Sequence, residues 1–331
     1  MTTANILEDE RPTLAEDGLT LSVVIPVYNE HESLPMICKR ITEVLAAGPA
    51  PYRDSYEILL VDDGSRDGSF EVAQKLHAAD ERIRVVQFRR NFGKTAALQA
   101  GFTLCRGARV VTIDADMQED PVDMFRLFEK LDAGYDLVSA WRIKRNDPLS
   151  KTLPSRIFNG VVSRMTGVHL HDFNCGFKAY NGDVVREIQL YGDLHRFIPV
   201  LAHQQGFKVT EVSVEHQPRR YGKSKFGARR LGRGYIDFIQ VLFLTSYLNR
   251  PLRLFGTIGT LLMLVGGAIC AYLSILWLQG FRPIGDRPLL TLGVLLLITG
   301  LQFFSTGLVG EMLRHNTYRT GDEFSIRRML R

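Results

Sequence analysis

Hydrophobic positions divide the chain into two regimes. From Leu21 to Ile113 short apolar runs alternate with mixed segments of helical period. Leu21–Val27 is an unbroken apolar run bounded by polar residues, and Glu57–Val61, Ile83–Phe88 and Arg109–Ile113 repeat the type. Between them, Glu32–Ala46, Ser69–Ala78 and Lys94–Cys105 carry apolar residues at helical spacing. Runs without alternation are strands covered on both faces, so the pattern predicts an α/β domain with a mainly parallel, Rossmann-like sheet.

The second regime is apolar throughout. Leu254–Leu278 and Pro288–Gly310 contain no charged residue. Each exceeds the roughly 20 residues that cross a bilayer as helix, and neither has the polar stripe of a soluble core helix. The short link between them makes a transmembrane hairpin. Arg219, Arg220, Lys223, Lys225, Arg229, Arg230, Arg233, Arg250 and Arg253 precede it against one acid, Asp237, and Arg314, Arg319, Arg327, Arg328 and Arg331 follow, whereas the link holds only Arg282 and Arg287. The positive-inside bias predicts that the long N-terminal part and the tail face the cytoplasm. Between Leu231 and Leu248, apolar positions at helical spacing with basic flanks predict an interfacial helix. The expected plan is a tail over 1–18, the α/β domain over 19–228, an interfacial helix over 229–250, the hairpin over 251–312 and a basic tail over 313–331.

Composition adds little. The chain has 331 residues and a net charge of +5, so charge is informative in its placement and not in its sum. Cys38, Cys105, Cys175 and Cys270 show no metal or redox spacing and read as reduced thiols. The polar, acidic first eighteen residues do not read as a secretory leader.

Candidate chemistry sits where the predicted strands end. Pro26-Val27-Tyr28-Asn29-Glu30 follows the first, Asp62-Asp63-Gly64-Ser65 the second, Arg89-Arg90-Asn91-Phe92-Gly93-Lys94 the third, and Asp114-Ala115-Asp116-Met117-Gln118 the fourth. Ligands of such sheets gather at the carboxyl ends of the strands. No strand is followed by G-x-G-x-x-G or a P-loop, which counts against dinucleotide redox and P-loop chemistry. Clustered carboxylates need a cation. Asp114 and Asp116, with the Gln118 oxygen, suit a hard divalent ion, Mg²⁺ or Mn²⁺, shared with a pyrophosphate whose charge grows as a sugar departs.

These motifs resemble the family-two glycosyltransferases of the GT-A fold, and more narrowly the polyprenyl-phosphate glycosyltransferases, the group of dolichyl-phosphate mannose synthases and bactoprenol glucosyltransferases. Asp172-Phe173-Asn174-Cys175-Gly176-Phe177-Lys178-Ala179-Tyr180, His195-Arg196-Phe197-Ile198-Pro199 and Arg219-Arg220-Tyr221-Gly222-Lys223-Ser224-Lys225-Phe226 extend the match to about residue 230. The resemblance implies that Pro26, Tyr28, Glu30, Asp62, Asp63, Lys94 and Asp114 line the nucleotide-sugar pocket. It implies that Asp114, Asp116 and Gln118 hold the metal and that Arg219, Ser224 and Lys225 receive the acceptor phosphate. Arg142 and Arg145 fall in a stretch, Trp141–Pro148, that looks like a mobile loop over the donor, or else are solvated charges. Asp172 is a base or orienting group, or else a helix cap or ion-pair partner.

The implied reaction is inverting transfer from a nucleotide-sugar to polyprenyl phosphate, for cell-envelope glycans or protein glycosylation, with UDP-glucose ahead of GDP-mannose. The membrane, the nucleotide-sugar and the lipid are the implied partners, with a homo-oligomer (a tetramer) and no nucleic acid. A processive polysaccharide synthase would carry Q-x-x-R-W and more membrane helices; a non-catalytic scaffold would have no use for four carboxylates at strand ends.

The charge bias generates a topology test. With the native cysteines replaced, single cysteines within Gln279–Asp286 should label from the face opposite the cytoplasm, while one at Thr320 should not. The reverse pattern refutes the orientation.

Overall fold

The computed structural model describes residues 19–142, 160, 162–164, 166–192, 194–215, 251–281 and 288–317, with side chains to 313 in the last stretch. Arg145, Arg219, Ser224, Lys225 and the interfacial helix expected over 229–250 lie outside the described residues. The chain separates into two compact units, residues 1–241 and 242–331.

In the first unit the elements run β1 (Leu21–Val27), α1 (Leu34–Ala47), β2 (Tyr56–Asp62), α2 (Ser69–Ala79), β3 (Ile83–Gln87), α3 (Lys94–Leu104), β4 (Arg109–Thr112), α4 (Met124–Asp132), β5 (Leu137–Arg142), β6 (Lys178–Asn181), α5 (Gly182–Glu187), α6 (Ile198–Gln204) and β7 (Val209–Val214). The sheet order is β3-β2-β1-β4-β6-β5-β7. The first four strands are parallel to one another. β6 is antiparallel to both β4 and β5, and β5 pairs parallel with β7. The sheet is thus mainly parallel with one reversed strand.

The continuous apolar runs follow from packing on both faces. Ile58 and Leu60 of β2 enter one core with Ile37 and Ile41 of α1, while Leu59 and Val61 enter the other with Ala97 and Leu98 of α3. Side chains of a strand alternate between faces, so a strand buried on both sides has no polar position to show. α1 and α2 cover one face and α3 the other. The chain changes face between β3 and β4, and β4 pairs on the side of β1 away from β2. Such a switch point opens a crevice at the carboxyl ends of β1 and β4. Pro26 fits β1 because pairing with β4 ends at Val24–Thr112, followed by one bond from the Ile113 amide to the Val24 carbonyl. The amide hydrogen that proline lacks has no ladder to serve there.

The opposite end of the sheet holds a buried ionic knot. Glu57, 1% exposed, accepts from the Ser22 hydroxyl (2.6 Å), Arg84 Nη1 (2.8 Å), the Arg106 amide (2.7 Å) and Arg106 Nε (3.1 Å). Arg84 also donates to the Leu104 carbonyl at 2.9 Å, so the knot ties β1, β2, β3 and the end of α3 together.

The second unit contains the two apolar helices, α7 (Pro251–Leu278) and α8 (Pro288–Thr317), both long and apolar enough to cross a membrane. They pack backbone to backbone. A Cβ on Gly259 would lie 2.6 Å from the Gly300 carbonyl, and one on Gly300 would lie 2.7 Å from the Gly259 carbonyl. Small residues permit this close approach where no hydrophobic force favours helix contact.

Burial alone would raise the Glu57 carboxyl, but hydrogen bonds from Ser22, Arg84 and Arg106 outweigh it and hold the group below its usual 4.5. Its stabilising contribution is therefore present at neutral pH and lost as pH falls through that depressed value. Glu57→Gln should destabilise the domain by about 2–3 kcal/mol at pH 7, with the deficit shrinking below pH ~4, in denaturant titrations followed by far-UV circular dichroism. A pH-independent deficit would contradict an ionised Glu57.

Candidate active site

The loops after β1, β2 and β3 are laced into one surface. The Asn29 amide donates to Ser65 Oγ (2.9 Å), and the Arg66 amide to Asn29 Oδ1 (2.8 Å). The Glu30 amide donates to Ser69 Oγ (2.8 Å), and Ser33 Oγ donates to Glu30 Oε2 (3.0 Å). Pro26, Tyr28 and Glu30 are half-buried along this edge. Asp62 Oδ1 accepts from the Ser65 amide at 3.2 Å, and its buried Oδ2 has no hydrogen-bond partner among the described residues. Asp63 holds the third loop: it accepts from Asn91 Nδ2 (2.9 Å), the Phe92 amide (2.7 Å) and the Gly93 amide (2.9 Å). Burial pushes the Asp63 carboxyl up in spite of the amides it accepts from. Gly64 (φ 67°) lets the two loops touch, since a Cβ there would stand 2.4 Å from the Arg90 carbonyl carbon.

Among the described residues the non-glycine positions with positive φ are Asn29 (52°) and Met117 (59°), one in each loop that flanks the crevice. Backbone held in this sparsely populated region clusters at functional sites. Lys94, the first residue of α3, places Nζ 2.5 Å from Asp114 Oδ1, and both side chains are about one-third exposed (33% and 32%). Although burial opposes it, the pairing holds the Asp114 carboxyl below and the Lys94 amine above their usual values. Asp116 accepts from the Gln118 amide at 3.3 Å and is half-buried, as is Gln118. The backbone of Gly176 closes one side of Asp114, where an added Cβ would fall 2.5 Å from Oδ2.

Arg142 corrects the sequence reading. It is the last residue of β5, 14% exposed, and neither a loop residue nor a solvated charge. Its Nε and Nη2 both lie 2.9 Å from Asp172 Oδ2, while Asp172 Oδ1 accepts from the Asn174 amide at 3.1 Å. Asp172, 2% exposed, is therefore an ion-pair partner in this structure. The preceding residues repeat the grip. The Trp141 and His171 rings stack with centroids 4.0 Å apart, and Glu211 of β7 binds the His171 amide (2.8 Å) and ring.

Three further groups escaped sequence reasoning. Glu119, 4% exposed, lies 3.9 Å from Arg142 Nη1 and from Cys175 Sγ, and its Oε2 has no hydrogen-bond partner among the described residues. Burial and the neighbouring Asp114 push it up to about 7 against the pull of Arg142. Lys178, 2% exposed, donates to the carbonyl of Cys175, and burial together with Lys94 pushes it down to about 8. His195 Nδ1 lies 2.7 Å from the Thr95 hydroxyl, and burial, then Lys94, Arg196 and Lys178 push it down to about 3. The signal was present. Glu119 continues the acidic run, and the other two lie within motifs already quoted, but spacing alone gave them no partner.

With this geometry in view, comparisons with known proteins are decisive. Residues 22–189 match the model of "Glycosyl transferase family 2". The chain belongs to that family. The transferase is 36% identical over 307 residues to a dodecaprenyl-phosphate galacturonate synthase of Rhizobium johnstonii, covering 91% of this chain and 90% of that one. It is 38% identical over 317 residues to an undecaprenyl-phosphate 4-deoxy-4-formamido-L-arabinose transferase of Pseudomonas fluorescens, covering 94% and 90%. Among solved structures it resembles glucosyl-3-phosphoglycerate synthase of Mycobacterium tuberculosis in complex with Mn²⁺ and UDP-glucose, with a TM-score of 0.52 at 19% identity over 73% of this chain and 83% of that one. That likeness establishes the GT-A fold of the transferase.

The donor set fits a hard divalent cation. No three His, Cys, Asp or Glu side chains among the described residues form a metal-holding group, so the described end of β4 brings two carboxylates and an amide. That is the arrangement Mg²⁺ favours when substrate phosphates complete its shell.

Because His195 is held neutral, acid favours the unfolded chain, whose histidine takes its proton near 6.5. The penalty begins below that pH and grows down to about 3, by up to about 1.4 kcal/mol per pH unit. His195→Gln should show a smaller loss of Tm between pH 7.5 and 5.5 than the unmodified enzyme. Equal losses would contradict a neutral imidazole.

Proposed function

We propose that the transferase moves a sugar, with inversion, from a nucleotide-sugar to a polyprenyl phosphate at the cytoplasmic face of a plasma (inner) membrane. The observation that carries the reading is the acidic end of β4, Asp114 to Gln118, facing Lys94 across the crevice beside the Asp62–Asp63 loop. The apolar hairpin and the polyprenyl-phosphate acceptors in the relatives' names support a lipid acceptor.

Asp114, Asp116 and Gln118 are the residues that would hold Mg²⁺ or Mn²⁺, which when bound stabilises the charge growing on the nucleoside diphosphate. Pro26, Tyr28, Glu30, Asp62 and Asp63 shape the nucleotide side of the crevice, Asp63 by fixing the loop that leads to Lys94. The acceptor phosphate, with a second pKa near 6, is mostly dianionic at neutral pH and is already a nucleophile. It needs cations more than a base, which suits Arg219, Ser224 and Lys225 as its receivers and Arg145 as a donor-side cation. Asp172 acts through its pair with Arg142, ordering the segment that carries Gly176 against Asp114.

The relatives' names favour a galacturonate or 4-deoxy-4-formamido-L-arabinose donor over UDP-glucose, and the sequence reading favours UDP-glucose over GDP-mannose. Purified enzyme with undecaprenyl phosphate and each radiolabelled donor should give one labelled lipid. Asp116→Asn should cut its formation by roughly a hundredfold or more, and excess EDTA should abolish it. No labelled lipid from any donor, or full activity in EDTA, would refute the reading.

A further inference from the structure

We propose that Lys94 is an internal counter-cation: its ammonium occupies the Asp114 carboxylate before substrates bind, must leave when the divalent cation arrives, and then turns to the donor diphosphate, so that metal and nucleotide bind as a coupled pair. The proposal rests on the metal-site reading of Asp114 and Asp116.

Three observations carry it. Lys94 Nζ sits 2.5 Å from Asp114 Oδ1, on a carboxylate that Gly176 already crowds, since a Cβ there would fall within 2.5–2.7 Å of both oxygens. The ammonium thus occupies part of the accessible edge through which a cation would reach this residue. Second, the backbone at Lys94 is fixed, and the charge reaches Asp114 from it on a long unbranched stem. Asp63 accepts from the amides of Phe92 and Gly93, and Gly93 (φ 98°) takes a conformation that side-chain-bearing residues rarely adopt. From that anchor a four-carbon stem can re-aim its charge without moving α3. Third, the ion pair is about one-third exposed and opens on the crevice, so exchange does not require unpacking the core.

Electrostatics supplies the coupling. Asp114, Asp116 and the buried Glu119 crowd one strand end, and Lys94 offsets their mutual repulsion. A divalent ion on the same carboxylate repels the ammonium, and at contact distance this repulsion is strong. A displaced ammonium is costly beside the cation unless an anion receives it, and the diphosphate is that anion. Metal therefore binds weakly alone and tightly with nucleotide, and by linkage nucleotide gains as much from metal as metal from nucleotide.

The test is Mn²⁺ binding by electron paramagnetic resonance on the full chain in detergent, with and without UDP, for wild type, Lys94→Met, Lys94→Gln and Asp116→Asn. Wild type should bind Mn²⁺ weakly without UDP and at least about tenfold more tightly with it. Both Lys94 variants should bind Mn²⁺ alone roughly ten- to a hundredfold more tightly than wild type, as expected on removing a competing charge-assisted contact, and should show a smaller UDP enhancement than wild type, the remainder coming from phosphate oxygens that join the metal's shell. The wild-type comparison needs no variant to fold. If Mn²⁺ binding depends on Asp116 but is no tighter in either Lys94 variant, the metal site stands and the displacement is wrong. If it ignores Asp116 as well, the metal reading fails with it.

Discussion

Negative charge concentrated at the carboxyl ends of parallel strands is the constraint around which this enzyme is organised. Asp62, Asp63, Asp114, Asp116 and Glu119 are gathered by sheet order, not by sequence proximity, because β1 lies between β2 and β4. Such a cluster stands only if donors and cations surround it. The chain meets the demand three times, with main-chain amides on Asp63, the Lys94 ammonium on Asp114, and the Arg142 guanidinium between Asp172 and Glu119. Each also fixes a loop, so neutralisation and site geometry are one event. The opposite end of the sheet answers a similar problem differently, with Glu57 sealed under two arginines and no opening to a ligand.

This arrangement explains why a lipid-phosphate acceptor is chemically reasonable. Donor and acceptor are both anions, and an enzyme that joins them must bring them together without relying on a strong base. Its work is charge compensation among half-buried side chains, where the same contact is worth more than in bulk solvent. Holding His195 neutral removes one variable from that balance.

The first four strands and their helices were legible to within a residue or two because double-sided burial leaves an unmistakable apolar run. The hairpin was legible because lipid demands the same of whole helices. β6 was not foreseen: Lys178–Asn181 has four residues, begins with a buried lysine, and owes its place to pairing with β4 and β5. Sequence reasoning located the carboxylates that follow strand ends, as at Asp63 and Asp114. It failed where a long-range partner decides the environment. Arg142 looks like a surface charge until Asp172, thirty residues on, is folded against it, and Glu119 looks like another exposed acid until Arg142 and Cys175 close over it.

Gly176 gives the two halves of the site a mechanical relation. It leaves no room for a side chain beside the Asp114 carboxylate, its carbonyl accepts from the Thr112 hydroxyl at 2.7 Å, and its segment is anchored at the far end by Asp172. The end of β4 and the 172–178 segment consequently bear on each other like a latch on its strike plate. A displacement of Asp172 would therefore reach the end of β4 through a single short segment, because Gly176 lies only four residues beyond it.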